Sequence, residues 1–83
     1  MNMIQREEIF THIRTIICDI LKNDQLVITE STTSQDVDGW DSLTHMLIIS
    51  EVEKQFQVRI NFRELMKITN VGGLISIIEK KMN

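Results

Sequence analysis

The chain has 83 residues, 42% of them apolar and 25% charged, enough for one compact core and too few for a cleft between two domains. Nine basic residues against 12 acidic ones leave a net charge of -3, which argues against a nucleic-acid surface and against a disordered polar tract. No apolar run approaches the ~18 residues of a membrane span, and Arg6, Glu7 and Glu8 stand where a secretory leader would be apolar, so a cytoplasmic, membrane-free setting is expected.

From Glu8 to Leu21, Ile9, Phe10, Ile13, Ile16, Ile17, Ile20 and Leu21 follow the i, i+3, i+4, i+7 spacing of an amphipathic helix, with Arg14, Thr15, Asp19 and Lys22 off the stripe. Lys22 to Trp40 is rich in Ser, Thr, Asp and Gly and forms a loop of roughly 19 residues, pinned to the core by Leu26 and Ile28. A second helix runs from Asp41, its expected N-cap, to Phe56, with Ile48, Ile49, Val52 and Phe56 inward and His45 on the same side. Val58 and Ile60 then alternate inward, and Asn61 to Ile68 predicts a short third helix built on Phe62, Leu65 and Met66. Thr69-Asn70 is a further capping signal before a last helix over Val71 to Met82. Leu74, Ile75 and Ile78 face inward there, Gly72 and Gly73 weaken the first turn, and Lys80 and Lys81 suit the last turn's dipole. The predicted fold is all-α: a single domain over residues 1–83, a small bundle of three longer helices and one short one, with the long loop between the first two.

Several chemical readings fail on spacing. Cys18 is the sole cysteine, so neither an internal disulfide nor a Cys-based metal site is available. It falls opposite the first helix's apolar stripe and is expected as an exposed thiol with no base beside it. Asp36, Asp38 and Asp41 suggest a calcium loop, which needs Gly sixth and Glu twelfth. Counted from Asp36, Gly39 is fourth and Leu47 twelfth, so the acids are expected to be solvated and no metal is predicted. His45 follows Ser42 by three residues, but a hydrolase would need a Gly-x-Ser-x-Gly elbow and an acid to orient the imidazole. No catalytic residue is assigned. His45 is placed at the top of the bundle and His12 in solvent; the five methionines read as terminal or as core filler.

The informative segment is Gly39-Trp40-Asp41-Ser42-Leu43-Thr44-His45-Met46. It sets a serine just inside a helix start, after a capping Asp and a permissive Gly. Helix N-termini present unpaired N–H groups and the positive end of the dipole, so a phosphodiester on Ser42 would be well placed. From physics alone, an ordinary cap explains the same residues.

The run Asp41-Ser42-Leu43 resembles the Asp-Ser-Leu attachment motif of acyl carrier proteins. The likeness extends to Asp36–Trp40 before it, to Glu51–Phe56 at the end of the second helix and to Lys67–Val71 at the entry to the last, covering the chain from the first helix to about Lys81. The resemblance implies that Ser42 is esterified to 4′-phosphopantetheine, whose thiol carries an acyl thioester. It implies as partners a phosphopantetheinyl transferase and acyl-activating or acyl-transferring enzymes, and a monomeric carrier that is not itself an enzyme. An aminoacyl or peptidyl carrier shares the same arm and fold. A cofactor-free helical interaction module is the reading from a different class.

The chain departs from the fatty-acid carriers where these often have acids early in the second helix, because Thr44 and Leu47 stand there. Leu43, Met46 and Leu47 fall away from the core stripe and make a second apolar patch. It either packs on the loop or third helix or docks a partner.

Overall fold

The computed structural model describes residues 4–83. Met1 and Met3, read above as terminal methionines, lie outside the described residues, as does the start of the proposed domain. Four helices follow in order: α1 (Arg6–Leu21), α2 (Ser42–Phe56), α3 (Phe62–Lys67) and α4 (Val71–Met82), with one 3-10 turn, Ser34–Asp36, inside the long loop. α1 starts two residues earlier than the apolar stripe suggested, because Glu8 Oε1 accepts the N–H of Gln5 at 3.4 Å and closes the first turn. Lys22 and Gln57 end α1 and α2 in the left-handed region, at φ 57° and 55°.

The core follows the predicted faces. Ile9, Ile13 and Ile17 of α1, Ile48 and Val52 of α2 and Ile75 and Ile78 of α4 are each wholly buried. α1 packs against both α2 and α4. Ile28 and Ile60 are buried with them, and Leu26 and Val58 are half-buried against the cluster.

The loop is held to the bundle by more than its apolar residues. Thr32 O accepts the Val71 N–H at 2.9 Å and Glu30 O accepts the Gly72 N–H at 2.7 Å. These are two of the N–H groups that a helix start leaves without an intrahelical partner. Arg6 bridges to the same segment, donating Nη2 to Glu30 Oε1 at 2.6 Å and to Gly72 O at 3.1 Å, and Nη1 to Glu79 Oε1 at 3.1 Å. Glu30's carboxyl is held below its ordinary range by Arg6.

Three expectations are corrected. Cys18 is buried, not exposed. The loop returns along its side of α1, where Arg14, four residues earlier on that face, donates Nη2 to Leu26 O at 3.4 Å. Asn61 is the N-cap of α3 rather than its first residue, accepting the Glu64 N–H at 2.8 Å, and of the three apolar residues expected to build α3, Phe62 and Met66 are exposed and Leu65 is half-buried. Met46, Met66 and Met82 are likewise exposed and fill no core. His12 is exposed, as expected, but its ring also sits edge-on to Phe56 at 5.6 Å.

Candidate functional site at the start of the second helix

The segment from Gly39 to His45 is a tightly bonded helix start. Gly39 takes φ 88°, a conformation that a side chain would strain, and turns the loop into α2. Asp41 is the N-cap: its Oδ1 accepts the Thr44 N–H at 2.9 Å, and its own N–H donates to Thr44 Oγ1 at 2.8 Å. The Thr44 hydroxyl donates on to Gly39 O at 2.9 Å, closing the turn on itself. Donation from the Thr44 N–H above all holds the Asp41 carboxyl below the ordinary carboxylate range, so it is ionised at neutral pH. Asn70 caps α4 in the same manner, accepting the Gly73 N–H at 2.8 Å.

Ser42 is the first residue of α2 and is exposed. Its hydroxyl therefore leaves the bundle at the positive end of a 15-residue helix. A phosphodiester fits this position: the helix start favours the anion, and no core side chain has to move to admit it.

Beyond Ser42, α2 divides cleanly. Ile48, Ile49, Val52 and Phe56 are buried, whereas Leu43, Met46 and Leu47 are 69%, 51% and 49% exposed. The patch is therefore not absorbed by the loop or by α3. Thr44 behaves differently. It is half-buried and its side chain completes the cap.

Trp40 is the residue whose role sequence reasoning missed. Its indole Nε1–H donates to His45 Nδ1 at 3.1 Å, and the two rings stack at 6.1 Å with 28° between their planes. Trp40 packs half-buried on the core, so the pair spans the turn that carries Asp41 and Ser42. The signal for it was a sole tryptophan five residues before a histidine, across an N-cap. Asp36 and Asp38 are exposed as expected, and Asp36 Oδ2 accepts the Thr33 N–H at 2.9 Å at the start of the 3-10 turn.

Comparison with known proteins agrees with this geometry. The family described as "Phosphopantetheine attachment site" matches residues 11–78. The acyl carrier protein of Thermotoga maritima is 38% identical over 96% of this chain and 99% of its own length. The acyl carrier protein of Streptococcus pyogenes is 33% identical over 88% and 95%. The polyketide-8 synthase acyl carrier protein 1 of Streptomyces avermitilis is 29% identical over 82% and 81%. Among solved structures, the holo acyl carrier protein of Geobacter metallireducens, determined by NMR, superposes with a TM-score of 0.81 at 33% identity, covering 87% of this chain and 83% of that one. A prosthetic group of covalent 4′-phosphopantetheine goes with this membership, which sets aside the cofactor-free reading. By its four-helix fold, its exposed serine at a capped helix start and its likeness to these carriers along nearly its whole length, the chain belongs to the acyl carrier proteins of the phosphopantetheine-attachment family.

Proposed function

We propose that Ser42 is the residue that bears 4′-phosphopantetheine, joined through its Oγ as a phosphodiester. The observation that carries this reading is the exposed Ser42 at the first position of α2, directly after the Asp41 cap. When bound, the group supplies a thiol on a long flexible arm that holds an acyl group as a thioester. The chain's own residues position it. Asp41 and Thr44 fix the helix start, Gly39 turns the chain outward, and the helix N-terminus favours the phosphate charge.

In this reading the chain is a monomeric cytoplasmic carrier and performs no catalysis. A phosphopantetheinyl transferase loads it, and acyl-activating or acyl-transferring enzymes use the loaded arm. These partners dock on Leu43, Met46 and Leu47, whose exposure on one side of α2 supports the assignment. Among the described residues no helix is long and apolar enough to cross a membrane. The test is intact mass after coexpression with a broad-specificity phosphopantetheinyl transferase. The wild type is expected to gain one phosphopantetheine and Ser42→Ala none, with the melting temperature unchanged. A normal gain in Ser42→Ala would place the attachment elsewhere.

A further inference from the structure

The bond between Trp40 and His45 depends on a proton. Trp40 Nε1–H donates to His45 Nδ1 at 3.1 Å, so Nδ1 offers a lone pair and the neutral ring carries its hydrogen on Nε2. An indole nitrogen can only donate, so a proton taken up from solvent on Nδ1 sets donor against donor. Histidine is the side chain whose ordinary titration falls between about pH 5 and about pH 8. Stacking does not make up the loss, because the ring centroids are 6.1 Å apart, at the outer reach of a cation–π contact. Thr32 and Ser34 of the loop, and Thr69 and Asn70 before α4, are the polar groups on the wall that His45 shares with Trp40, and none is charged. The acids on either side of Trp40 in the chain, Asp36, Asp38 and Asp41, are exposed, as is Lys67, the base next to Ile68 of that wall. A charged imidazole therefore has no counter-charge on the wall and is better solvated away from it.

We propose that Trp40 and His45 form a proton-sensitive latch at the start of α2. With His45 neutral, the indole fastens the end of the long loop to the helix. With His45 protonated, that bond is lost and the indole is released from α2. The Asp41 cap contains no imidazole, so its bonds with Thr44, and the Thr44 hydroxyl's bond to Gly39 O, stay closed. The switch is local: it changes how the residues before the helix are held, and not whether α2 folds. Ser42 lies between the two rings in the chain, two residues after Trp40 and three before His45. The latch therefore alters the surface around that serine whatever the serine bears.

The experiment follows the full chain by NMR from about pH 8 to about pH 5, reading the Trp40 indole N–H and the ring nitrogens of His45. At the upper end His45 is expected to be the Nε2–H tautomer. As the pH falls, the indole resonance is expected to move with the same midpoint as the His45 ring, and the indole N–H to exchange with water faster than in His45→Gln. His45→Gln keeps an acceptor and cannot titrate, so its indole resonance should stay in place over the whole range. His45→Phe keeps a flat ring without an acceptor, so its indole N–H should exchange fast already at the upper end; it serves if the glutamine variant does not fold. His12→Gln, changed beside Phe56 at the other end of α2, should leave the titration as it is. The proposal is overturned by an Nδ1–H tautomer at the upper end, by a wild-type indole resonance that ignores pH, or by one that moves as far in His45→Gln. Loss of the titration in His12→Gln, or slow indole exchange in a folded His45→Phe, overturns it as well.

Discussion

The backbone N–H of Gly72 donates to the carbonyl of Glu30 at 2.7 Å, and a Cβ at position 72 would stand 3.0 Å from that oxygen and 3.2 Å from the Glu30 Cβ. The glycine is therefore there for the close approach of the loop to α4, and not only as a weak helix former.

Gly72 and Gly73 should respond oppositely to alanine. At Gly73 a new Cβ meets Asn70 Oδ1 at 3.5 Å and the Ile68 Cα at 3.8 Å, ordinary contact, so the better helix propensity of Ala decides. Gly73→Ala is expected to stabilise by about 0.5–1 kcal/mol. At Gly72 the loop would have to yield, and Arg6 together with the Val71–Thr32 bond holds it in place. Gly72→Ala is expected to lower the melting temperature. Thermal melts of the two variants, side by side, check the contrast; a gain in both would show that the loop moves freely.

Asp41 supports both stability and pH dependence. Asp41→Ala removes the acceptor for the Thr44 N–H and should lower the melting temperature by about 4–8 °C, with slower loading at Ser42. Asp41 has a folded pKa below its ordinary value, as do Glu30 beside Arg6 and Glu64 bonded to the Asn61 N–H and Lys81. Carboxyls shifted that way contribute stability above the unfolded pKa and lose it as the pH falls through the folded one. The melting temperature is therefore expected to be level from neutral pH to about 5 and to decline below it. Asp41→Asn, still a good cap, should keep most of the stability at pH 7 and show a shallower acid decline.

Phe56 carries the last turn of α2 into the core at 7% exposure, with the His12 ring on its edge. Phe56→Ala should cost about 3–5 kcal/mol, a large share of what so small a domain has. Denaturant titration should show either a midpoint far below wild type or a chain already unfolded in buffer. An unchanged midpoint would mean that this face of α2 is not the buried one.

Leu47→Glu tests the exposed side of α2. If Leu43, Met46 and Leu47 dock the cognate acyl-transferring or acyl-activating enzyme, the charge should weaken binding by at least about fivefold, the equivalent of ~1 kcal/mol. Loading of Ser42 by a permissive transferase should remain nearly intact. Binding of the holo wild type should vary only mildly with salt, since apolar contacts are not screened. Equal affinities for both proteins, with a steep loss in salt, would move recognition to Asp36, Asp38, Glu51 and Glu53.

What the sequence determined by itself was everything that repeats locally. The buried faces of α1, α2 and α4 follow from apolar spacing, because a helix face recurs every 3.6 residues whatever it packs against. The caps at Asp41 and Asn70 follow from short-range bonding between a side chain and an N–H three residues on. Only the tertiary structure decided how the long loop returns, because its anchors join residues far apart in the chain: Arg6 to Glu30 across 24 positions and to Gly72 across 66. That return makes Gly72 a packing residue, and Cys18, off its own helix's apolar stripe, is nonetheless buried in the core cluster. The Trp40–His45 bond spans only five residues across the Asp41 cap; what the tertiary structure adds there is the half-buried packing of Trp40 on the core.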